Sequence, residues 1–258
     1  MGKMNDWRSA TQKFTAKWLV RKDVSGILIC GSYITGNPSK HSDIDVCIVL
    51  RDNVGWRARG NKIIDGFLFE YFANSPQQIM RYFMDEHKAH DKRTAHMFVT
   101  GKIVCDKNGR LKKIKKEANK WLSKKFIKPS ARFCELSKYQ LWDISDNLED
   151  VYETRMEDFA FLCYSNLPII FDIYSRFVRY GNVPPDKILQ FLKGRDLEKY
   201  HMSAFPDRQF AELYVKTAVA GTNAAMMSAY SRLINHVFAR MGGFKIDGWK
   251  IKTPLDMG

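Results

Sequence analysis

Asp43 and Asp45 stand one residue apart at the head of an apolar run, Ile44 to Leu50. If that run is a strand, side chains at i and i+2 share a face, so the two carboxylates project together. Carboxylates this close raise each other's pKa unless a cation joins them. Oxygen-only ligands suit a hard ion such as Mg²⁺, which keeps waters and takes further ligands from phosphates. Upstream, Gly31-Ser32 ends another apolar run, Val24 to Cys30. Glycine after a strand lets backbone approach a phosphate, and successive N–H groups at a turn hold the anion. Each half alone is commonplace, a turn in one case and a strand cap in the other. In the order strand, Gly-Ser, loop, Ser42-Asp43-Ile44-Asp45, strand, they read as a phosphate cradle joined to a metal clamp.

The elements that must position these groups follow from pattern. Trp7, Ala10, Phe14 and Trp18 recur at helical spacing, predicting a helix over 4–21. Val24–Cys30 and Asp43–Leu50 read as buried strands. Arg51 to Asn61 reads as a charged loop holding Trp56, Arg57 and Arg59, either a mobile surface turn or a basic aromatic loop that stacks a base or grips phosphate. Lys62–Ile64, Asp65-Gly66 and Phe67–Phe72 read as a hairpin around a strong two-residue turn signal. Glu70 is the one acid inside the second hairpin strand, a costly choice among apolar neighbours unless it has a partner. Ser75-Pro76-Gln77-Gln78 opens a helix running to about His87. A second helix is predicted over 92–100, a short strand over 102–105 and a lysine-rich helix over 110–128. That last helix keeps Leu111, Ile114, Ala118, Leu122 and Phe126 on one face.

Gly31-Ser32, Gly36 and Ser42-Asp43-Ile44-Asp45 resemble the signature of the DNA polymerase β-like nucleotidyltransferase superfamily. The likeness is greatest to its small bacterial branch, the antibiotic adenylyltransferases and minimal nucleotidyltransferases. It is carried by motifs within Val24 to Leu122. Many relatives carry an arginine before the glycine matched to Gly36; here that position is Thr35. The resemblance implies that Asp43 and Asp45 hold two Mg²⁺ ions. It also implies that Glu70, on the strand beside them, is the third metal ligand, with Asp65 the rival better explained by the turn, and that Gly31 and Ser32 bind the nucleotide. The nucleotide would be a nucleoside triphosphate, with ATP expected.

Pro129 marks the boundary of the first domain, residues 1–129. The rest, 130–258, reads as helices over about 131–154, 157–180, 185–193, 207–219 and 222–240, with Pro168 expected to kink or break the second. In the first of these, Asp143, Asp146, Asp150 and Glu153 share a face opposite Leu141, Ile144, Leu148 and Tyr152. The family's antibiotic-modifying members resemble this layout, with a helical second domain that supplies the general base. By that likeness Asp146, at mid-helix, is the candidate base and Lys138 a candidate triphosphate contact. The expected fold class is α+β, a small mixed-sheet nucleotidyltransferase domain followed by an all-α helical bundle, with the active site in the cleft.

Composition sets the outer limits. The 258 residues are 45% hydrophobic, enough for a substantial core, and no apolar run reaches the length of a membrane span. No signal peptide is expected. Five cysteines without Cys-x-x-Cys spacing suggest reduced thiols and a cytoplasmic setting. The net charge of +14 is uneven: residues 1–130 carry 26 Lys+Arg against 12 Asp+Glu, whereas residues 131–258 carry 16 of each. Such a field favours polyanions. The expected reaction is Mg²⁺-dependent transfer of AMP from ATP to an acceptor hydroxyl. A small cationic antibiotic suits the acidic helix; a tRNA or protein acceptor suits the basic half. A non-catalytic nucleic-acid-binding protein on this fold is the third reading. Oligomeric state is not indicated.

Overall fold

The computed structural model describes residues 6–198 and 201–252. They fall into two compact units. One takes in the chain through Lys125 with a short stretch from Leu197 to Met202; the other takes in Phe126–Asp196 and the chain from Ser203. The fold is α+β: a mixed sheet with helices, then a helical region.

The first unit runs α1 (Trp7–Leu19), β1 (Val24–Cys30), α2 (Ser32–Thr35), β2 (Ile44–Leu50), β3 (Ala58–Ile64), β4 (Phe67–Asn74), α3 (Pro76–Lys88), α4 (Arg93–Thr100), β5 (Lys102–Asp106) and α5 (Arg110–Ser123). The strands form one sheet in the order β3-β4-β2-β1-β5. Strand β2 pairs antiparallel with β1 and parallel with β4; β1–β5 and β3–β4 are antiparallel. All seven residues of β1 are buried, because helices cover both faces. On one face Ala10, Phe14 and Trp18 of α1 meet Ile27, Ile44, Val46 and Phe69, and the Phe14 ring stacks on Phe69 at 4.7 Å. On the other, Ile79, Phe83, Phe98 and Leu111 from α3–α5 meet Leu28, Cys47 and Val49.

Three expectations need correction here. The stretch Arg51–Asn61 is only partly loop, since β3 begins at Ala58. An edge strand half in solvent carries charges and Gly60 without the apolar alternation that marks a buried strand. The lysine-rich helix ends at Ser123, not 128. The Lys92 ammonium takes the carbonyls of Leu122 and Lys124, both at 2.6 Å, and the chain leaves extended at Lys124. Phe126 is therefore not on the α5 face; it is buried in the second unit. Positions 4 and 5 of the predicted first helix lie outside the described residues.

The second unit contains α6 (Ala131–Thr154), α7 (Met156–Phe177), a 3₁₀ turn (Pro185–Lys187) leading into α8 (Ile188–Leu192), α9 (Arg208–Ala218) and α10 (Asn223–Arg240). Pro168 does not break α7, which continues through it; the ring only removes one N–H donor. Among the described residues no helix is long and apolar enough to cross a membrane. All five cysteines are free.

A buried polar knot fixes this unit. Asp207 caps α9 by accepting from the Phe210 N–H at 3.0 Å. Its other oxygen accepts from the buried Tyr174 hydroxyl and meets His236 Nε2 at 2.8 Å and Arg240 Nε at 3.5 Å. Burial acts to raise the Asp207 carboxyl, but these donors outweigh it and hold its pKa below the ordinary carboxylate value. A depressed carboxylate stabilises the fold above its unfolded pKa, about 4, and loses that contribution as pH falls through the lower folded value. Asp207→Ala should therefore cost about 2–4 kcal/mol at pH 7. Chemical denaturation of both proteins should show the gap narrowing below about pH 4; an unchanged gap would rule out the ionised carboxylate as its source.

Candidate active site

Strand β2 sends alternate residues to opposite faces. Ile44, Val46, Ile48 and Leu50 enter the core beneath α1, while Cys47 and Val49 enter the opposite core. Asp45 lies on the Cys47 face, and Asp43 precedes the strand. The parallel register sets Asp45 directly opposite Glu70 of β4. One ligand oxygen from each of Asp43, Asp45 and Glu70 lies within 4.8 Å of the other two, and all three residues are partly buried.

That convergence carries an electrostatic cost. Burial, then the neighbouring Asp43 and Glu70 carboxylates, push the Asp45 pKa up to about 7. Three hard oxygen donors under such repulsion are a fitting donor set for a divalent cation of the Mg²⁺ class. Glu70 also accepts from Arg59 of β3, at 2.9 Å from Nε and 2.6 Å from Nη2.

Gly31 is the other half of the site. Its φ is +77°, a conformation that disfavours side chains, and a Cβ there would run into Asp45 Oδ2. The turn therefore exists because residue 31 has no side chain, and Asp45 fills that space. The Gly31 carbonyl accepts from the Ile34 and Thr35 N–H groups at 3.0 and 3.1 Å, starting α2. The N–H groups of Ser32 and Tyr33 stand in the first turn, where a helix offers no internal acceptor. Thr35, at the position of the relatives' arginine, donates to Asn37 Oδ1 at 2.7 Å. Ser42 braces the loop before Asp43, its hydroxyl accepting from the Ser39 N–H at 2.9 Å. Asp65 sits in the hairpin turn, paired with Lys13 at 2.7 Å.

A cavity of about 640 Å³ opens within this unit beside the carboxylates, with Asp45, Glu70, Arg59, Tyr82, Glu86 and Met97 on its wall. The sequence pattern places Arg59 in a loop that could grip phosphate, not on a strand beside Glu70, and does not single out Tyr82 or Glu86. The hairpin register held the missing signal for Arg59. Counting back from Asp65-Gly66 pairs Arg59 with Phe72, hence on the face of Glu70 and diagonal to it.

Asp43, Asp45, Glu70, Gly31 and Ser32 thus belong to one end of one sheet. The other two sequence candidates do not join that group within the first unit. Both lie on α6 of the second. Lys138 is buried and paired with Glu135 at 2.5 Å, and Asp146 is exposed with Asp143, Asp150 and Glu153.

Residues 12–133 match the family model of the nucleotidyltransferase domain. That stretch includes β1, α2, β2 and β4, and it is a nucleotidyltransferase domain of the DNA polymerase β-like superfamily. A solved structure, that of a nucleotidyltransferase-like protein from Exiguobacterium sibiricum 255-15, is 13% identical. Its TM-score is 0.44, over 92% of this chain and 77% of that one. Comparison with curated proteins finds no match.

The raised Asp45 pKa gives a test of the site's electrostatics. A carboxyl whose folded pKa is raised favours the fold at low pH, and that contribution falls away as pH climbs from about 4 through about 7. Without added divalent ion, Asp45→Asn should therefore unfold a few degrees above the parent at pH 8, and the gain should shrink as pH falls below about 7 and vanish below about pH 4. Added Mg²⁺ should raise the melting temperature of the parent and not that of the variant, read by thermal scans.

Proposed function

We propose that this protein is a divalent-metal-dependent nucleotidyltransferase that moves AMP from ATP to an acceptor hydroxyl, the acceptor being a small molecule of the aminoglycoside-antibiotic type. One observation carries the reading: the parallel pairing of β2 with β4 gathers Asp43, Asp45 and Glu70 within 4.8 Å, beside a turn that only glycine fits. Choice of nucleotide and acceptor is supported by the resemblance of the Gly31–Asp45 stretch to antibiotic adenylyltransferases. The exposed acidic face of α6 adds the charge a cationic acceptor needs.

In this reading Asp43, Asp45 and Glu70 hold Mg²⁺, two ions by the family resemblance. Bound there, Mg²⁺ neutralises triphosphate charge and acidifies the acceptor hydroxyl. Ser32 meets phosphate oxygens with its N–H and hydroxyl, and the Gly31 turn lets backbone come close. Preorganised donors of this kind stabilise charge as it builds on the transferred group and on the departing pyrophosphate. Asp146 takes the acceptor's proton, and Lys138 contacts the triphosphate.

A second reading has its own observation. Lys112, Lys113, Lys116 and Lys120 line the exposed side of α5. Lys112, Lys116 and Lys120 repeat every four residues, and such like-charge spacing weakens a helix in isolation. A polyanion laid along it removes that repulsion, so an RNA acceptor is the alternative.

The deciding assay offers each α-labelled nucleoside triphosphate with Mg²⁺ to aminoglycosides and lincosamides, to total tRNA and to cell lysate, with Asp43→Ala/Asp45→Ala as control. Label from ATP on a small molecule, absent in the control, is the expected result. Label on RNA, with transfer falling steeply as salt rises, favours the second reading. Transfer that persists in the control would overturn the metal assignment. Asp146→Ala should lower turnover while sparing triphosphate binding; an unchanged rate would remove Asp146 as the base. Gly31→Ala, by displacing the Asp45 carboxylate, should reduce turnover about 100-fold with little change in far-UV circular dichroism.

A further inference from the structure

Within the triad, Glu70 already has a cation. Arg59 reaches across the hairpin and places both Nε and Nη2 on a single oxygen, Glu70 Oε1. Its guanidinium also lies over the Phe72 ring, 5.0 Å from the centroid. The hairpin enforces both contacts, because Arg59 pairs with Phe72 and Glu70 is the diagonal neighbour on the same face. Glu70 is thus claimed twice, by the guanidinium and by the cluster it forms with Asp43 and Asp45.

Two observations separate Arg59 from an ordinary structural ion pair. Its side chain is 70% exposed, whereas that of Glu70 is 19% exposed. A pair with one partner so wet contributes little stability and is released at little cost. The second is its place on the wall of the cavity that Asp45 and Glu70 also line. The neighbouring arginines are held elsewhere: Arg57 by the Tyr82 hydroxyl at 2.9 Å and Arg93 by Asp91 at 3.1 Å.

We propose that Arg59 is a resident counter-cation of the carboxylate triad. It holds Glu70 until a divalent ion binds, yields the carboxylate to that ion, and then turns its guanidinium to the phosphates of the incoming nucleotide. The inference rests on the reading of the triad as a metal site. Guanidinium and divalent ion compete for the one negative charge of the Glu70 carboxylate, and the ion brings twice the charge. The freed planar fork matches a phosphate in two places at once.

The device makes a prediction of opposite signs. Arg59→Ala removes a competitor from Glu70 and a contact from the nucleotide. Titration with Mn²⁺, followed by electron paramagnetic resonance, should show two- to fivefold tighter ion binding in the variant. Calorimetry with α,β-methylene ATP in the presence of Mn²⁺ should show about tenfold weaker binding. Arg59→Lys keeps the charge without the fork, so its Mn²⁺ affinity should stay near the parent value while the nucleotide still binds more weakly. Unchanged or weaker Mn²⁺ binding in Arg59→Ala, at an unchanged melting temperature, overturns the proposal; so does unchanged nucleotide affinity. Mn²⁺ binding by the parent that is lost in Asp43→Asn/Asp45→Asn shows that the metal reading stands even where the Arg59 role fails. No Mn²⁺ binding by the parent takes down both.

Discussion

The pairing of β2 with β4 is the contact on which the site depends. It is the parallel pairing in a sheet whose other pairings are antiparallel. Parallel strands begin at the same end of a sheet. Carboxylates near the starts of both therefore meet, as Asp45 and Glu70 do in direct register. To return β4 parallel to β2, the chain crosses first to the outer edge, forms β3 and reverses at Asp65-Gly66. Edge strand β3 is thus a consequence of the geometry that builds the triad, and it delivers Arg59 to Glu70.

Repulsion among three carboxylates must be offset by something that does not move. The sheet supplies it. Ile44, Val46, Ile48 and Leu50 anchor β2 beneath α1, and Cys47 and Val49 anchor its other face. Shifting the strand by one residue would exchange its faces and bury Asp45 in the α1 core. Gly31 adds a second lock. Because its missing side chain is the space that Asp45 occupies, the Gly31 turn and the carboxylate cannot be adjusted independently. Cradle and clamp act as one part, which explains why Gly-Ser and Asp-x-Asp are informative together and weak apart.

Much of this was legible in the chain. The bounds of β1 and β2 follow from their apolar runs, α6 from its helical pattern, and the hairpin turn from Asp-Gly, whose two residues both take positive φ. What was hidden depends on neighbours in space. Half of β3 is exposed edge, so its residues carry no burial pattern. The end of α5 is set by Lys92, thirty residues earlier, capping its carbonyls. Pro168 is absorbed because packing holds α7 on both sides of the missing donor. The guanidinium on Glu70 follows from register rather than composition, and register becomes readable only once both hairpin strands are given their full length.

Charge shows the same dependence on placement. The basic half of the chain suggests a broad field for polyanions, yet several of its cations are already engaged. Arg110 pairs with Asp52, and Lys120 with Glu117. Lys115 turns inward to the carbonyls of Phe98, Val99 and Gly101, closing the end of α4. On α5 the lysines whose side chains have neither an ion-pair nor a hydrogen-bond partner among the described residues are Lys112, Lys113 and Lys116, a more local feature than the net charge implies. At the triad the sign reverses. A triphosphate arriving alone meets three carboxylates and is repelled at short range; one that arrives with its cation meets complementary charge. In the proposed function, long-range attraction and short-range selection thus come from different residues, and the short-range part makes the carboxylates, not the lysines, the gate for the nucleotide.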